Sequence, residues 1–192
     1  MFQVRFHGRG GQGVVTAAEL LSVAAFVDGL EAQAFPTFGS ERTGAPVVAF
    51  CRIDETPIRI REPIVEPDAV VVQDPSLVHQ VDLFEGLGDN GSVLLNTSRT
   101  VVELGLAELV RRLPPDRLVL VPASELAREH LGRPLPNAAL LGAFAAVTGV
   151  VTLSSLEEAI REKFRGAVAD GNVAAARAAF AVVSREHERT HA

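Results

Sequence analysis

The amino-acid sequence predicts an α/β fold, a three-layer structure in which a mostly parallel twisted sheet carries helices on both faces. Three observations point there. The chain opens Phe2-Gln-Val-Arg-Phe-His-Gly8-Arg9-Gly10-Gly11-Gln12-Gly13-Val14, a strand, a glycine loop and the start of a helix, which together make a Rossmann-like first β-α unit. Short apolar runs of strand length then alternate with stretches of helical periodicity, the pattern of β-α-β units. With 47% hydrophobic and 22% charged residues, the 192 residues fit one folded domain with a sizeable core.

Phe2, Val4 and Phe6 alternate with Gln3 and Arg5 at the period of a strand. From Val14 to Val27 only Thr16, Glu19 and Ser22 are polar, a narrow stripe, so this helix must be covered on most sides. Asp28-Gly29 stops it. Leu30 to Phe35 reads as a second strand, and Pro36 opens the loop Pro36-Thr37-Phe38-Gly39-Ser40-Glu41-Arg42-Thr43-Gly44-Ala45-Pro46. Two extended segments follow, Pro46 to Ile53 and Ile58 to Ile64, and prolines in and around them place both near sheet edges. Ala69 to Asp74 is an apolar strand of the kind buried on both faces of a parallel sheet; Ser92 to Thr97 and Arg117 to Pro122 repeat it.

Helices are predicted over Leu77 to Phe84 and Val102 to Leu113, and then in succession to the end of the chain. Ser124 caps one to Leu131, Asn137 one through Val150, Ser154 or Ser155 one through Phe164, and Asn172 a last one to about Glu188. Val173, Ala176, Phe180 and Val183 form the packing seam of that last helix, and the charged end from Ser184 to Ala192 is expected to fray. The helix from Asn137 is apolar on nearly every face, so it belongs at the centre of the fold or at a subunit interface. The similarly coated first helix favours an interface for at least one of the two.

The net charge of −6 offers no general attraction to nucleic acid or to anionic lipid, so neither is an expected partner and any anion site must be local. A single cysteine, Cys51, cannot close an internal disulfide or hold zinc or an iron–sulfur cluster by itself; it reads as a small hydrophobe packed in a strand. No signal-peptide pattern is present. The apolar run from Ala138 to Leu153 falls short of the ~20 residues that span a bilayer, and a cytoplasmic protein is expected. His187 and His191 lie in the tail, and His7 alone of the five histidines stands beside the glycine loop, where it could steady an anion or simply end a strand. There is no nucleophile elbow, no paired-carboxylate signature and no lysine after the glycines, so no catalytic residue and no metal ligand is assigned.

The loop Gly8-Arg9-Gly10-Gly11-Gln12-Gly13 has two readings. It is an anion cradle, in which backbone N–H groups converge at the positive end of the following helix, or it is a tight turn required by packing. Gly8, Gly10 and Gly13 satisfy the spacing of a dinucleotide fingerprint. Yet the acid that would hold a ribose hydroxyl is missing, since the end of the second strand is Gln33-Ala34-Phe35-Pro36. A nicotinamide dehydrogenase is therefore disfavoured. The loop carrying Ser40, Glu41, Arg42 and Thr43 is the second candidate, with Arg42 able to pair with a phosphate or carboxylate and the hydroxyls able to donate; a solvated surface turn is the alternative. Asp74, at the carboxyl end of its strand, faces a ligand crevice or caps the helix that follows.

Three blocks in order, Gly8-Arg-Gly-Gly-Gln-Gly-Val-Val-Thr-Ala-Ala-Glu, Ala34-Phe-Pro-Thr-Phe-Gly-Ser-Glu-Arg-Thr-Gly-Ala-Pro-Val and Pro67-Asp-Ala-Val-Val-Val-Gln-Asp-Pro-Ser-Leu, closely resemble the gamma subunit of pyruvate:ferredoxin oxidoreductase. Gly91-Ser-Val-Leu-Leu-Asn-Thr and the Asn137 helix extend the match over roughly residues 1 to 165. The resemblance implies one gamma-type domain in a multichain enzyme. That enzyme decarboxylates a 2-oxoacid on thiamine diphosphate with Mg, passes electrons through [4Fe-4S] clusters to ferredoxin, and makes acyl-CoA. The redox centres and catalytic residues then lie in alpha, beta and ferredoxin-like delta partners. Gly8, Arg9, Gly10, Gly11, Gln12, Gly13, Ser40, Glu41, Arg42 and Thr43 are the residues expected to hold coenzyme A or a facing subunit. The alternatives are a subunit for another 2-oxoacid or for indolepyruvate, a purely structural assembly subunit, and a free-standing nucleotide-binding protein.

Overall fold

The computed structural model describes residues 1–37 and 43–191, the side chains of 187–191 excepted. Six strands form one sheet in the order β2-β3-β1-β4-β5-β6, with β1 Phe2–Arg9, β2 Glu31–Pro36, β3 Pro46–Asp54, β4 Ala69–Val72, β5 Ser92–Asn96 and β6 Leu118–Val121. β1, β4, β5 and β6 pair in parallel, whereas β3 runs antiparallel to both β1 and β2. β2 therefore points the same way as β1, and the first β-α-β unit has an antiparallel strand inserted between its two strands. The prediction of a mostly parallel sheet holds. The expectation that prolines keep the Pro46 segment at an edge does not, because Pro46 is the first residue of β3, opposite Arg9, where a missing N–H costs little.

α1 (Val14–Val27), α3 (Ala123–Leu131), α4 (Asn137–Thr148), α5 (Leu153–Lys163) and α6 (Gly166–His191) lie on one face of the sheet. The other face is covered over β4 to β6 by a short 3-10 turn at Pro75–His79 and by α2 (Ala107–Arg112). Two cores result. In the larger, Val4, Phe6, Val71 and Leu94 meet α1, α4 and α6; in the smaller, Val70, Val72, Val93 and Leu95 meet Leu77, Leu104 and Leu109. Adjacent residues of β4 and β5 thus feed opposite cores, which is why these strands read as continuous apolar runs.

The helix expected from Val102 begins only at Ala107, because Gly105 takes a left-handed conformation (φ +67°) and interrupts it. The helix expected over Leu77 to Phe84 is reduced to the Pro75–His79 turn. At the C-terminus the difference is reversed. α6 starts at Gly166, well before Asn172, and remains helical to His191 where fraying was expected. Residues 166–186 are long and apolar enough to cross a membrane by length and composition alone, yet Val173, Ala176, Ala179 and Val183 are buried against the larger core. α4 is the centre of the fold: α6 packs along it, and Leu140, Leu141, Ala143 and Phe144 are at most 1% exposed. Its apolar coat is covered within this chain. α1 leaves Phe26 exposed at its end.

Two expected caps are spent on tertiary bonds. Asn137 and Ser124 lie within the first turns of α4 and α3, preceded by Pro136 and Pro122 at the capping positions. At α5 it is Thr152, outside the expected pair of serines, whose hydroxyl accepts from Ser155 N. That cap also ties α5 to the end of α1: Asp28 accepts from Thr152 N at 2.7 Å, from the Thr152 hydroxyl at 2.9 Å and from the Ser155 hydroxyl at 2.7 Å. Burial alone would raise the Asp28 carboxyl, but these bonds outweigh it and hold it below the ordinary aspartate value. A depressed carboxyl contributes stability above its unfolded value and loses it as pH falls through the folded one. Asp28→Asn is therefore expected to lower the unfolding temperature by a few degrees at pH 7, with wild type and variant converging in strong acid; thermal melts from pH 7 to pH 2 measure it.

Candidate functional site

β1 ends in the glycine loop, and the loop sits where the order of the strands reverses. α1 returns the chain to β2 on one side of β1, and β4 lies on the other. Ligands of open α/β sheets bind at such a point, outside the carboxyl ends of the strands. Here those ends supply His7 and Gly8 from β1, Gln73 and Asp74 after β4, and Asn96 from β5.

The loop is closely built. Gln12 folds back so that Oε1 accepts from Arg9 N at 2.7 Å, while Gln12 N donates to Arg9 O at 3.0 Å. Gly11 and Gly13 take left-handed conformations (φ +92° and +73°), and Gly13 caps α1. A side chain on Gly8 would meet Val14 Cγ2 at 2.6 Å, so the absence of a Cβ lets β1 and α1 approach. Asn137 Nδ2 donates to Gly13 O at 3.2 Å and fastens the loop to the start of α4. The steric reading of the glycines is thus correct for Gly8, and the cradle reading fits Gly11 and Gly13. Their N–H groups make no hydrogen bond among the described residues. The first-turn amides of α1 before Ala17 lack intrahelical partners. An open cleft of about 320 Å³ lined by Arg9, Gly10, Gly11, Gly13, Val14, Val15 and Val47 stands over these donors.

The two candidate loops meet. Gly10 pairs with Thr43 in an isolated parallel bridge, Gly10 N donates to Ala45 O at 2.9 Å, and Gly44 N donates to Gly10 O at 3.1 Å. Ser40, Glu41 and Arg42 lie outside the described residues.

Arg9, expected to hold coenzyme A or a facing subunit, is engaged within the chain. Its Nε lies 3.2 Å from Asp74 Oδ2, Nη1 donates to Gly44 O at 3.0 Å, and Nη2 donates to Ser76 Oγ at 2.8 Å and Gln80 Oε1 at 2.9 Å. Of the two readings of Asp74, the structure bears out the cap. It accepts from Ser76 N at 2.9 Å at the start of the 3-10 turn, and its other oxygen accepts from Gln12 Nε2 of the glycine loop at 2.8 Å. Burial would raise its carboxyl, but the bonds from Ser76 and Gln12 and the Arg9 charge hold it low. Ser76 and Gln80 were not singled out from sequence, since nothing local to a polar residue on a short turn distinguishes it.

Two further amides lie beneath the loop. Gln73 is 2% exposed with neither Oε1 nor Nε2 bonded among the described residues, and Asn137 Oδ1 is likewise buried and unpartnered. An unsatisfied buried amide costs about 1–3 kcal/mol. Asn96 is satisfied: Nδ2 reaches Gln73 O and Ser124 Oγ, both at 2.8 Å, and Oδ1 accepts from Ser124 N. His7 is not part of the cradle. It lies on the opposite face of β1 beside Arg5, whose Nε donates to His7 Nε2 at 3.1 Å, which places the ring proton on Nδ1. Burial, and then the Arg5 charge, push His7 down to about 3, so it is neutral at pH 7.

The donor chemistry does not fit an iron–sulfur cluster. Cys51 is buried in β3 with its thiol pushed up by burial, and among the described residues no three His, Cys, Asp or Glu side chains gather as metal ligands.

Known proteins of similar sequence and fold place the chain in a family. The profile of the pyruvate ferredoxin/flavodoxin oxidoreductase family matches residues 3–182. A pyruvate/ketoisovalerate oxidoreductases common subunit gamma of Pyrococcus abyssi is 53% identical over 94% of this chain and 96% of its own length. Pyruvate synthase subunit PorC of Methanothermobacter marburgensis is 50% identical, again over 94% of this chain and 96% of its own. The crystal structure of pyruvate oxidoreductase subunit PORC from Thermotoga maritima superposes with a TM-score of 0.77 at 37% identity, covering 94% of this chain and 95% of that one. A 2-oxoglutarate:ferredoxin oxidoreductase from Magnetococcus marinus shares the fold at 17% identity and a TM-score of 0.69, this chain corresponding to 31% of its length. Near-complete coverage in both directions at half identity leaves one assignment: the chain belongs to the pyruvate ferredoxin/flavodoxin oxidoreductase family, as a gamma subunit.

Proposed function

We propose that this subunit works in a cytoplasmic pyruvate:ferredoxin oxidoreductase, which converts a 2-oxoacid and coenzyme A to acyl-CoA, CO2 and reduced ferredoxin, and that its glycine loop holds a phosphate of coenzyme A. The observation that carries the site is the set of N–H groups at Gly11, Gly13 and the first turn of α1 that have no partner among the described residues, under an open cleft. Thiamine diphosphate, Mg and the [4Fe-4S] clusters belong to alpha, beta and delta partners, in keeping with a single buried cysteine here. Phe26, left bare at the end of α1, is a natural partner contact.

A second reading makes the loop an assembly contact. Its charged side chain is already neutralised by Asp74, as suits a surface that meets another protein. One experiment separates the two. Gly11 has no atom within 4 Å of where a Cβ would stand, so Gly11→Ala alters little except the left-handed backbone that the loop requires. In the purified complex, Gly11→Ala and Arg42→Ala are expected to raise the KM for coenzyme A about tenfold. Decarboxylation of the 2-oxoacid, read by viologen reduction without coenzyme A, should be nearly retained. Equal loss of both half-reactions assigns the loop to assembly. Running the assay with pyruvate, 2-oxoglutarate and branched-chain oxoacids identifies the substrate.

A further inference from the structure

We infer that Arg9 is a positioning residue that locks three segments into one anion site, and that the anion itself is met by backbone. The inference rests on reading the glycine loop as the coenzyme A phosphate site. A guanidinium has five N–H donors in a fixed fork. Three of Arg9's make hydrogen bonds, one to Gly44 O and two to Ser76 and Gln80, while Nε stands in an ion pair with Asp74. These partners lie on segments far apart in sequence: the turn at Gly44, just before β3, and the stretch after β4 from Asp74 to Gln80.

Asp74 makes the lock rigid. One carboxylate oxygen takes Gln12 Nε2 and Arg9; the other takes Ser76 N at 2.9 Å and Ser76 Oγ at 2.6 Å. Gln12 in turn binds Arg9 N. The loop is thereby fixed on its inner side by side chains, which leaves the N–H groups of Gly11 and Gly13 as donors not engaged among the described residues. The positive charge of Arg9 is cancelled at 3.2 Å and contributes shape. A lysine, with one ammonium, cannot reach the same four acceptors from one point.

This assignment reverses the sign expected of a neighbouring substitution. If Arg9 bound the phosphate, Asp74 would compete with the ligand, and Asp74→Asn would lower the KM for coenzyme A. If Arg9 is a strut, Asp74→Asn loosens it and raises the KM. The test uses the whole complex carrying Arg9→Lys or Asp74→Asn, with the KM for coenzyme A and backbone hydrogen exchange measured on the same samples. The expected result is a KM raised about tenfold by Arg9→Lys and several-fold by Asp74→Asn, an effect on the order of one or two lost charge-assisted hydrogen bonds. Exchange should accelerate together in residues 8–14, 43–46 and 74–80. A lowered KM in Asp74→Asn, or faster exchange confined to residues 8–14, overturns the strut. Faster exchange in all three segments with both KM values unchanged leaves the strut standing and sinks the coenzyme A reading beneath it.

Discussion

Gly142→Val is expected to cost about 3 kcal/mol or more of folding stability, enough to abolish most soluble subunit. Gly142 lies in the middle of α4, and a Cβ built there falls inside contact distance of Ala176 O, C and Cα on α6. All three are backbone atoms, so no rotamer change relieves the overlap and the helices must separate. Around them Ala139, Ala143, Val173 and Ala179 are at most 2% exposed, and any separation opens the largest core of the molecule. Gly142→Ala decides between two effects. Helix propensity favours alanine by about 1 kcal/mol, whereas overpacking a filled interior costs about 1–3 kcal/mol. Since the obstacle is main chain, the steric term should win and Gly142→Ala should also unfold at lower denaturant. A more stable Gly142→Ala variant would show that α4 and α6 cross with slack between them. Urea unfolding followed by circular dichroism measures both substitutions.

Arg5→Met should remove about 2–4 kcal/mol, by leaving buried acceptors without donors while keeping the apolar stem. Arg5 is 8% exposed on β1, and its Nη2 donates to Leu83 O at 3.0 Å and Glu85 O at 2.6 Å. These bonds hold the stretch after the 3-10 turn against β1, on the sheet face opposite α1. His7 supplies an independent readout. Burial is the larger cause of its depressed pKa and Arg5 the second, so in Arg5→Met the histidine should titrate above about 3 yet still below its ordinary value of 6.5. The sign for stability follows: the unfolded chain takes up this proton below about 6.5 and the folded chain does not, so stability falls as pH drops from about 6.5 toward 3. The acid-sensitive window should be narrower in the variant. Stability curves against pH, with the His7 ring followed by NMR, test both points; an unchanged His7 titration would mean that the Arg5 charge does not reach it.

Arg5 and Arg52 also explain the clearest mismatch between sequence and fold. Ile58 to Ile64 has the alternation of a strand, but no strand forms there. Arg52 donates to Ile60 O at 3.3 Å and Glu62 O at 2.7 Å, and Arg5 reaches Ile64 O at 3.5 Å. The segment runs beside the sheet with carbonyls taken by arginine side chains, and of its isoleucines Ile64 is buried while Ile60 is exposed. Arginines in β1 and β3 are visible in the sequence; that they are buried, and what they bind, is not.

Periodicity and glycine chemistry by themselves determined most of the architecture. The alternation in Phe2 to Phe6, the nearly unbroken apolar coat of α1 and α4, and the short apolar runs of β4, β5 and β6 each have one inexpensive way to be buried, and the structure takes it. The ordered glycine blocks likewise placed the chain in its family, and the position of the loop at the sheet's switch point followed from its strand-to-helix setting. Only the tertiary structure decided what the polar residues do. Asn137 and Ser124, suited to capping by type, were drawn into bonds with Gly13 and Asn96. Arg9, suited to an anion by type, was neutralised by Asp74, more than sixty positions away along the chain. Apolar burial depends on local pattern because it has no direction, whereas a hydrogen bond needs its particular partner at its particular angle. That partner is known only when the chain has folded.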